Sequence, residues 1–234
     1  MRSTEHKQIT STDIREYLDR ENLKRSPEYP PGTSAVLIPI LEEADTLQIL
    51  LEVRSFRLHS QPGEICFPGG RIEKGETPLK AALRETAEEL LVRTDQIRIL
   101  GALPVTAGPS LAPLYVFAGL LTDYKETFSE EEVAYIMKVP LQYFLDHEPE
   151  HHRVILESRM DESFPFDLIP GGRNYRWREK TYDIPFYTEI RAGRETDPER
   201  PVLWGMTARV LDRFARILRI GSSDQKASPQ HRDG

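Results

Sequence analysis

Cysteine occurs once in this chain, at Cys66, so no intrachain disulfide can form and no cysteine-built zinc site is readable. A lone thiol is compatible with a reducing compartment. Long apolar runs are missing too: no stretch approaches the roughly 18 residues that a membrane-spanning helix requires. The first residues, MRSTEHKQIT, lack the apolar core of a secretory signal, and the final HRDG is not a peroxisomal tripeptide. Together these absences set a cytoplasmic location as the expectation, with no membrane partner. Basic excess is the third absence. Lys and Arg number 31 against 38 Asp and Glu, for a formal net charge of −7. A general nucleic-acid binder would carry a basic stripe, so no nucleic-acid partner is expected. An anionic small-molecule substrate is not excluded, because a divalent cation can bridge acid to acid.

What remains fits one well-filled domain with extensions: 234 residues, 38% hydrophobic and 29% charged. Residues 11–21 read as a short helix, capped by Ser11 or Thr12, with Ile14, Tyr17 and Leu18 on one face. The proline-rich residues 26–32 are a linker, so residues 1–32 form an N-terminal helix and linker ahead of a domain over 33–220. Residues 34–40 and 46–54 are apolar runs joined by Glu42, Glu43, Ala44 and Asp45, which predicts a β-hairpin. Residues 97–103, 113–121 and 130–139 read as strands, and Pro140 stops the last and starts a short helix through Leu145. Residues 154–157 and 181–187 form a late strand pair around a polar insertion, about 148–181. Residues 203–220 are an amphipathic helix with Met206, Val210, Leu211, Phe214, Ile217 and Leu218 inward. The polar residues 221–234 are expected to be a disordered tail. Strands and helices without regular alternation indicate an α+β fold or a mixed-sheet sandwich.

The most informative segment is 70–92, GRIEKGETPLKAALRETAEELLV. Thr77 suits a helix N-cap and Pro78 the first helical position. At about 100° per residue, Leu79, Leu83, Thr86 and Leu90 share one face, and Glu85, Glu88 and Glu89 spread over an arc roughly opposite. Like charges at these spacings cost about 0.2–0.5 kcal/mol per pair, which a bound cation would relieve. Taken alone, such a face is usually just solvated, with Glu76–Lys80 and Arg84–Glu88 as ordinary i,i+4 pairs. The whole spacing, however, resembles the Nudix box, G-x5-E-x7-R-E-U-x-E-E-x-G-U, where U is bulky and aliphatic. Gly70, Glu76, Arg84, Glu85, Glu88, Glu89 and Val92 stand in register. Thr86 replaces the first aliphatic residue and Leu91 replaces the glycine, departures that should alter packing at the helix end rather than chemistry.

Resemblance to Nudix hydrolases implies an α/β/α sandwich around a mixed sheet. It also implies metal-dependent hydrolysis of a diphosphate linked to another moiety, with Mg2+ or Mn2+. Hard carboxylate oxygens suit such ions. Glu85 and Glu89 are the first candidates for metal ligands, with Glu88 a further ligand or the base that orients water. Arg84 is expected to orient the glutamates, so the catalytic set is Arg84, Glu85 and Glu88. Glu76 would act from further off, through water or by supporting the residues that hold the metal. Some relatives draw the base from a loop outside the box, which keeps Glu130, Glu131, Glu132 and Glu189 as candidates.

The approach to the box, LLEVRSFRLHSQPGEICFPGG at residues 50–70, resembles the coenzyme A pyrophosphatase group. Leu50, Leu51, Arg54, Ser55, Gly63, Phe67, Pro68, Gly69 and Gly70 match. Glu52 stands where threonine is usual, and His59 where a second arginine is usual. The substrate-binding set is therefore Arg54, Ser55, Arg57, His59, Gly63, Phe67, Gly69 and Gly70. Arg54 and Arg57 could alternatively be surface arginines, and His59 a structural histidine. Phe164, Phe166, Tyr175 and Trp177 of the insertion could stack on a base or the pantetheine arm, or fill core. The resemblance implies coenzyme A or a derivative as substrate, with 3′,5′-ADP and a 4′-phosphopantetheine product. The rivals are another nucleoside diphosphate derivative (ADP-ribose or a dinucleotide) and a non-catalytic Nudix-fold binding module. Such modules often lose box glutamates, all of which are present here. A homodimer is the oligomer the resemblance allows, though no interface is legible.

Overall fold

The computed structural model describes residues 8–18, 32–107, 113–191 and 202–227. Strands β1 (Ser34–Glu43) and β2 (Thr46–Arg54) form the expected hairpin, with Ile40 opposite Ile49 and Glu43 opposite Thr46. Its turn residues, Ala44 and Asp45, both have positive φ, 45° and 64°. Their left-handed backbone suits the twist of the flanking strands. Along its other edge β1 runs parallel to β6 (Pro113–Leu121), and β6 runs antiparallel to β5 (Ile97–Ala107). β7 (Val133–Pro140) closes the far edge of β2.

Beyond the hairpin turn the two strands splay, and residues 65–71 fill the opening. The short β3 (Ile65–Cys66) pairs with Glu52 and Val53, while β4 (Gly69–Arg71) pairs with Ser34, Ala35 and Val36. This wedge carries the glycine turn into the middle of a seven-stranded mixed sheet.

Alternation along the strands sends neighbours to opposite layers. Leu37, Leu50 and Phe117 pack with Ala81, Ala82 and Leu90 of helix α2 (Pro78–Leu90). Ile38, Leu51 and Ala118 face a second core containing Ile14 of α1 (Ser11–Leu18), Phe144 of α3 (Leu141–Asp146) and Phe214 of α4 (Gly205–Ala227). The architecture is therefore the expected α/β/α sandwich, an α+β fold. Beside it lies a three-stranded antiparallel sheet of β8 (Glu150–Leu156), β9 (Lys180–Arg191) and β10 (Val202–Trp204).

Several local expectations change. Thr10, not Ser11 or Thr12, caps α1: its hydroxyl accepts from the Asp13 amide at 3.2 Å, and the Asp13 carboxylate accepts the Thr10 amide at 2.9 Å. The described part of α1 ends at Leu18, and the expected linker at 26–31 lies outside the described residues. β7 begins at Val133 because Glu130, Glu131 and Glu132 belong to a turn closed by the Val133 amide on the Ser129 carbonyl at 2.8 Å. Leu203 and Trp204 are strand, since Gly205 takes a left-handed φ of 69° that separates them from the helix. The tail expected from 221 is helical as far as Ala227, where Ser222 and Ser223 hydroxyls return to the Arg219 carbonyl and Gly221 packs on the Tyr17 ring. Residues 228–234 lie outside the described residues.

The 148–181 segment begins with β8 and carries two short 3-10 helices. Its Phe164, Phe166, Tyr175 and Trp177 stack edge-on among themselves at 4.9–5.8 Å between centroids. Tyr175 and Trp177 stay 45% and 39% exposed, so these rings form a surface cluster rather than core.

Candidate active site

Two glycines let a helix approach a strand. Gly69 has φ of 151°, and a Cβ there would stand 2.4 Å from the Ala35 carbonyl oxygen and 2.6 Å from the Val36 Cα. Only glycine fits so close to backbone. The freed Gly69 amide donates to the Glu89 carboxylate at 2.8 Å. At Gly70 a Cβ would meet the Glu85 carboxylate oxygen at 2.3 Å. The box carboxylates thus reach the main chain of β4 directly.

Helix α2 starts as its sequence dictates, with the Thr77 hydroxyl accepting the Lys80 amide at 3.3 Å and Pro78 in the first turn. Its two departures from the box have local explanations. The Thr86 side chain is fully buried, and its hydroxyl donates to the Ala82 carbonyl at 2.6 Å, leaving no orphan group. Leu91, at the glycine position, holds a left-handed C-cap (φ 52°, ψ 46°) with its side chain 58% exposed.

The acidic face is not a solvent face, which corrects the simple helical-wheel picture. Glu89 is 4% exposed, Glu85 is largely buried and Glu88 points outward. The reason is the wedge: the helix lies against β4 as well as the sheet core, so part of the arc opposite Leu83 is covered. Arg84 gathers the rest. Its Nε and Nη2 donate to the two Glu76 oxygens at 3.0 and 3.1 Å, and Nη1 to Glu85 at 3.0 Å and Glu88 at 3.2 Å. Nη2 also reaches the Arg71 carbonyl at 3.3 Å. Glu76 is therefore a direct partner of Arg84 and supports Glu85 and Glu88 through it, the second of the two expected routes. The Arg84 fork holds the Glu76 carboxyl below the usual range, while Glu76 and Glu85 stabilise the guanidinium charge.

The loop after β6 completes the rim. Ser129 donates its amide to the Glu89 carbonyl at 2.8 Å, and the Thr127 hydroxyl donates to the Leu90 carbonyl at 2.7 Å, satisfying the exposed end of α2. The Ser55 amide holds the Glu132 carbonyl at 2.8 Å. Glu132 is thereby brought within electrostatic reach of Glu52, Glu85 and Glu89. Glu130 and Glu131 are exposed on the same turn, and Glu189 sits on the outer sheet near Tyr143. Burial pushes the Glu89 carboxyl up to about 8, with Glu85 and Glu132 adding to the rise and the Gly69 amide opposing it. Burial likewise raises Glu85 despite Arg84.

Glu52, noted in the sequence only as a departure from threonine, lies beside the box acids. It is 1% exposed, and its Oε1 has no hydrogen-bond partner. Burial and then Glu89 push its carboxyl well up. The signal was present: in LLEVR, Glu52 shares the strand face of Leu50, which packs under α2.

A cavity of about 360 Å3 opens beside Gly69 between the wedge and the second sheet. Of the expected substrate-binding residues, Arg54, Phe67 and Gly69 line it. Ser55 and Gly63 are buried within the 54–64 loop, Gly70 abuts Glu85, and Arg57 and His59 are exposed on that loop and away from the cavity lining. Arg54 is anchored through Nε to the Ser60 carbonyl at 3.3 Å. Cys66 also lines the cavity, and burial pushes its thiol up, so it is an inert wall rather than a nucleophile. Tyr182, Ile184, Trp204 and Met206 supply the opposite wall, where sequence reading had looked to the insertion aromatics.

The donor chemistry fits a hard divalent cation: several carboxylates converge, one buried carboxylate oxygen lacks any donor, and Arg84 alone cannot balance them. Among the described residues no three such side chains stand in a ready-made ligating cage, because Arg84 holds Glu85 and Glu88 while the Gly69 amide holds Glu89. No described helix is long and apolar enough to cross a membrane.

Comparison with known proteins identifies the family. The NUDIX domain family model matches residues 31–158, more than half of the chain. The Uncharacterized Nudix hydrolase NudL of Yersinia enterocolitica is 29% identical over 190 residues, covering 80% of this chain and 82% of that protein. The mouse Peroxisomal coenzyme A diphosphatase NUDT7 is 32% identical over 146 residues, covering 60% of this chain and 62% of that protein. Among solved structures, a C. elegans Ap4A hydrolase complex matches 47% of this chain and 81% of that one, at 21% identity and a TM-score of 0.42. The chain belongs to the Nudix hydrolase family, and it is a diphosphatase.

Proposed function

We propose that this chain hydrolyses the diphosphate of coenzyme A or an acyl derivative, releasing 3′,5′-ADP and a 4′-phosphopantetheine product. The observation that carries this reading is the cavity beside Gly69. It joins a cationic group, Arg54, to an apolar and aromatic wall of Phe67, Tyr182, Trp204 and Met206. That pairing suits a ligand with a charged diphosphate and a long, largely uncharged arm. The resemblance of residues 50–70 to the coenzyme A pyrophosphatase group and the printed activity of the mouse relative support the same substrate.

In this reading Glu85, Glu88 and Glu89 would hold Mg2+ or Mn2+, which would neutralise diphosphate charge and activate water for attack. Arg84 keeps Glu85 and Glu88 oriented through its fork. Glu132 is the loop carboxylate we assign as base, since Ser55 holds its backbone at the rim and its charge reaches Glu85 and Glu89. Arg54 pairs with a phosphate oxygen, while Trp204 and Tyr182 flank the organic part. Arg57 and His59 are left on the outer loop, where they contact only an extended substrate. The domain proper is taken as 33–220, in the cytoplasm, a location the single cysteine supports.

A substrate panel tests the proposal. Purified protein with Mg2+ or Mn2+ is given coenzyme A, an acyl-coenzyme A, ADP-ribose and a dinucleoside polyphosphate, and products are separated chromatographically. Coenzyme A substrates should be cleaved fastest, and Trp204→Ala should raise their KM more than it lowers kcat. Intact coenzyme A alongside cleavage of another dinucleotide would overturn the substrate assignment.

A further inference from the structure

We infer that Glu52 belongs to the cation site, supplying a carboxylate from the sheet side to a bound divalent ion. The inference rests on the metal reading above and extends it to a residue outside the box. Three observations carry it.

The first is isolation. Glu52 is 1% exposed and its Oε1 finds no donor. An unpaired charge at such depth is expensive, and native proteins retain buried carboxylates where a partner or a metal compensates them.

The second is that the nearby donors are already committed. Arg54 spends Nε on the Ser60 carbonyl at 3.3 Å. The Tyr124 hydroxyl, which feels the Glu52 charge, donates to the Thr127 carbonyl at 2.5 Å. Cys66, the strand neighbour of Glu52 in β3, offers only a weak thiol donor. Among the described residues no donor reaches Oε1, and Arg54 offsets the Glu52 charge only through space.

The third is direction. Glu52 shares the sheet face of Leu50, which packs under α2. The groups whose charge it feels are Glu89, then Arg54 and Glu132, all at the rim of the same site. Two acids facing each other there repel, so the arrangement favours an ion between or beside them. A purely structural residue at this buried strand position would be apolar, or a small hydroxyl such as threonine.

The test uses the full chain, stripped of metal with chelator, as parent, E52Q, E52T and E52D. Mn2+ alone is titrated without substrate, by calorimetry and by loss of the free-ion paramagnetic resonance signal, and melting is followed with and without Mn2+. E52Q and E52T should bind Mn2+ about 10- to 100-fold more weakly than the parent, the span typical for supporting residues of metal sites. They should also melt higher than the parent without metal and gain less on adding it. E52D, which keeps the charge, should retain most of the affinity and serves if the neutral variants fold poorly. Parent-like Mn2+ affinity in E52T, or in E52D an affinity loss equal to that of E52Q, overturns the role of Glu52 while leaving the box site intact. A parent that binds no Mn2+ overturns the metal reading and the inference with it.

Discussion

The Gly69 amide donates to the Glu89 carboxylate at 2.8 Å, across twenty residues of sequence and between a strand wedge and a helix. This bond turns a helical acid inward and ties the glycine turn to the box. It exists because β1 and β2 splay and admit residues 65–71 between them.

Gly69→Ala should therefore fail on two counts. The left-handed φ alone costs a side chain about 1–3 kcal/mol, and the new Cβ meets the Ala35 carbonyl oxygen at 2.4 Å. At about 2–4 °C per kcal/mol for a chain of this size, thermal denaturation should show a clear fall in Tm. An unchanged Tm would mean the turn is less constrained than its geometry states.

Leu91→Gly should go the other way. Leu91 holds φ 52° and ψ 46° at the C-cap of α2 with its side chain 58% exposed, so little packing is lost on removing it. Relief of the left-handed penalty should stabilise the chain by about 1 kcal/mol, read in urea melts. Loss of stability would show that the exposed leucine makes contacts worth more than its strain.

Arg84→Lys separates orientation from stability. Lysine keeps the charge but cannot bridge Glu76, Glu85, Glu88 and the Arg71 carbonyl at once. These pairs are partly exposed, so stability should change by about 1 kcal/mol or less, whereas kcat should fall about 10- to 100-fold. Full activity in the lysine variant would remove Arg84 from the positioning role.

The metal-free protein should lose stability as pH rises through the range that Glu89 titrates. Its folded carboxyl stands at about 8 against an ordinary 4.5. Between those values the folded state holds a proton that the unfolded state has released, so stability falls with rising pH, at most about 1.4 kcal/mol per pH unit. Chemical denaturation of chelated protein at pH 5, 6, 7 and 8 should show this slope in the parent and a flatter one in Glu89→Gln. Equal slopes would assign the pH dependence to other groups.

Much of this molecule was legible from local chemistry. The spacing of Gly70, Glu76, Arg84, Glu85, Glu88 and Glu89 identified the box, since a helix places residues by a fixed rotation and that geometry needs no partner. The same holds for the Thr77–Pro78 helix start and the hairpin at Ala44 and Asp45; the order of strands and helices indicated only an α+β fold or a mixed-sheet sandwich, and the α/β/α layering followed from the resemblance to Nudix hydrolases. Boundaries drifted where a single glycine or turn decided them, as at Gly205 and at Ser129.

Tertiary structure alone decided which acids are buried, because burial depends on what the rest of the chain lays over a residue. The wedge of β3 and β4 covers Glu89 and leaves Glu88 outside. The pairing of β2 with β3 and β7 encloses Glu52, and the Ser55–Glu132 bond draws a loop carboxylate to the same rim. The cavity wall of Tyr182, Trp204 and Met206 arrives from segments 90 or more residues past Val92, the end of the box. Helical periodicity could name the acids of one face; the depth of each, and hence its charge and partner, was set by long-range packing and the cost of removing a carboxylate from water.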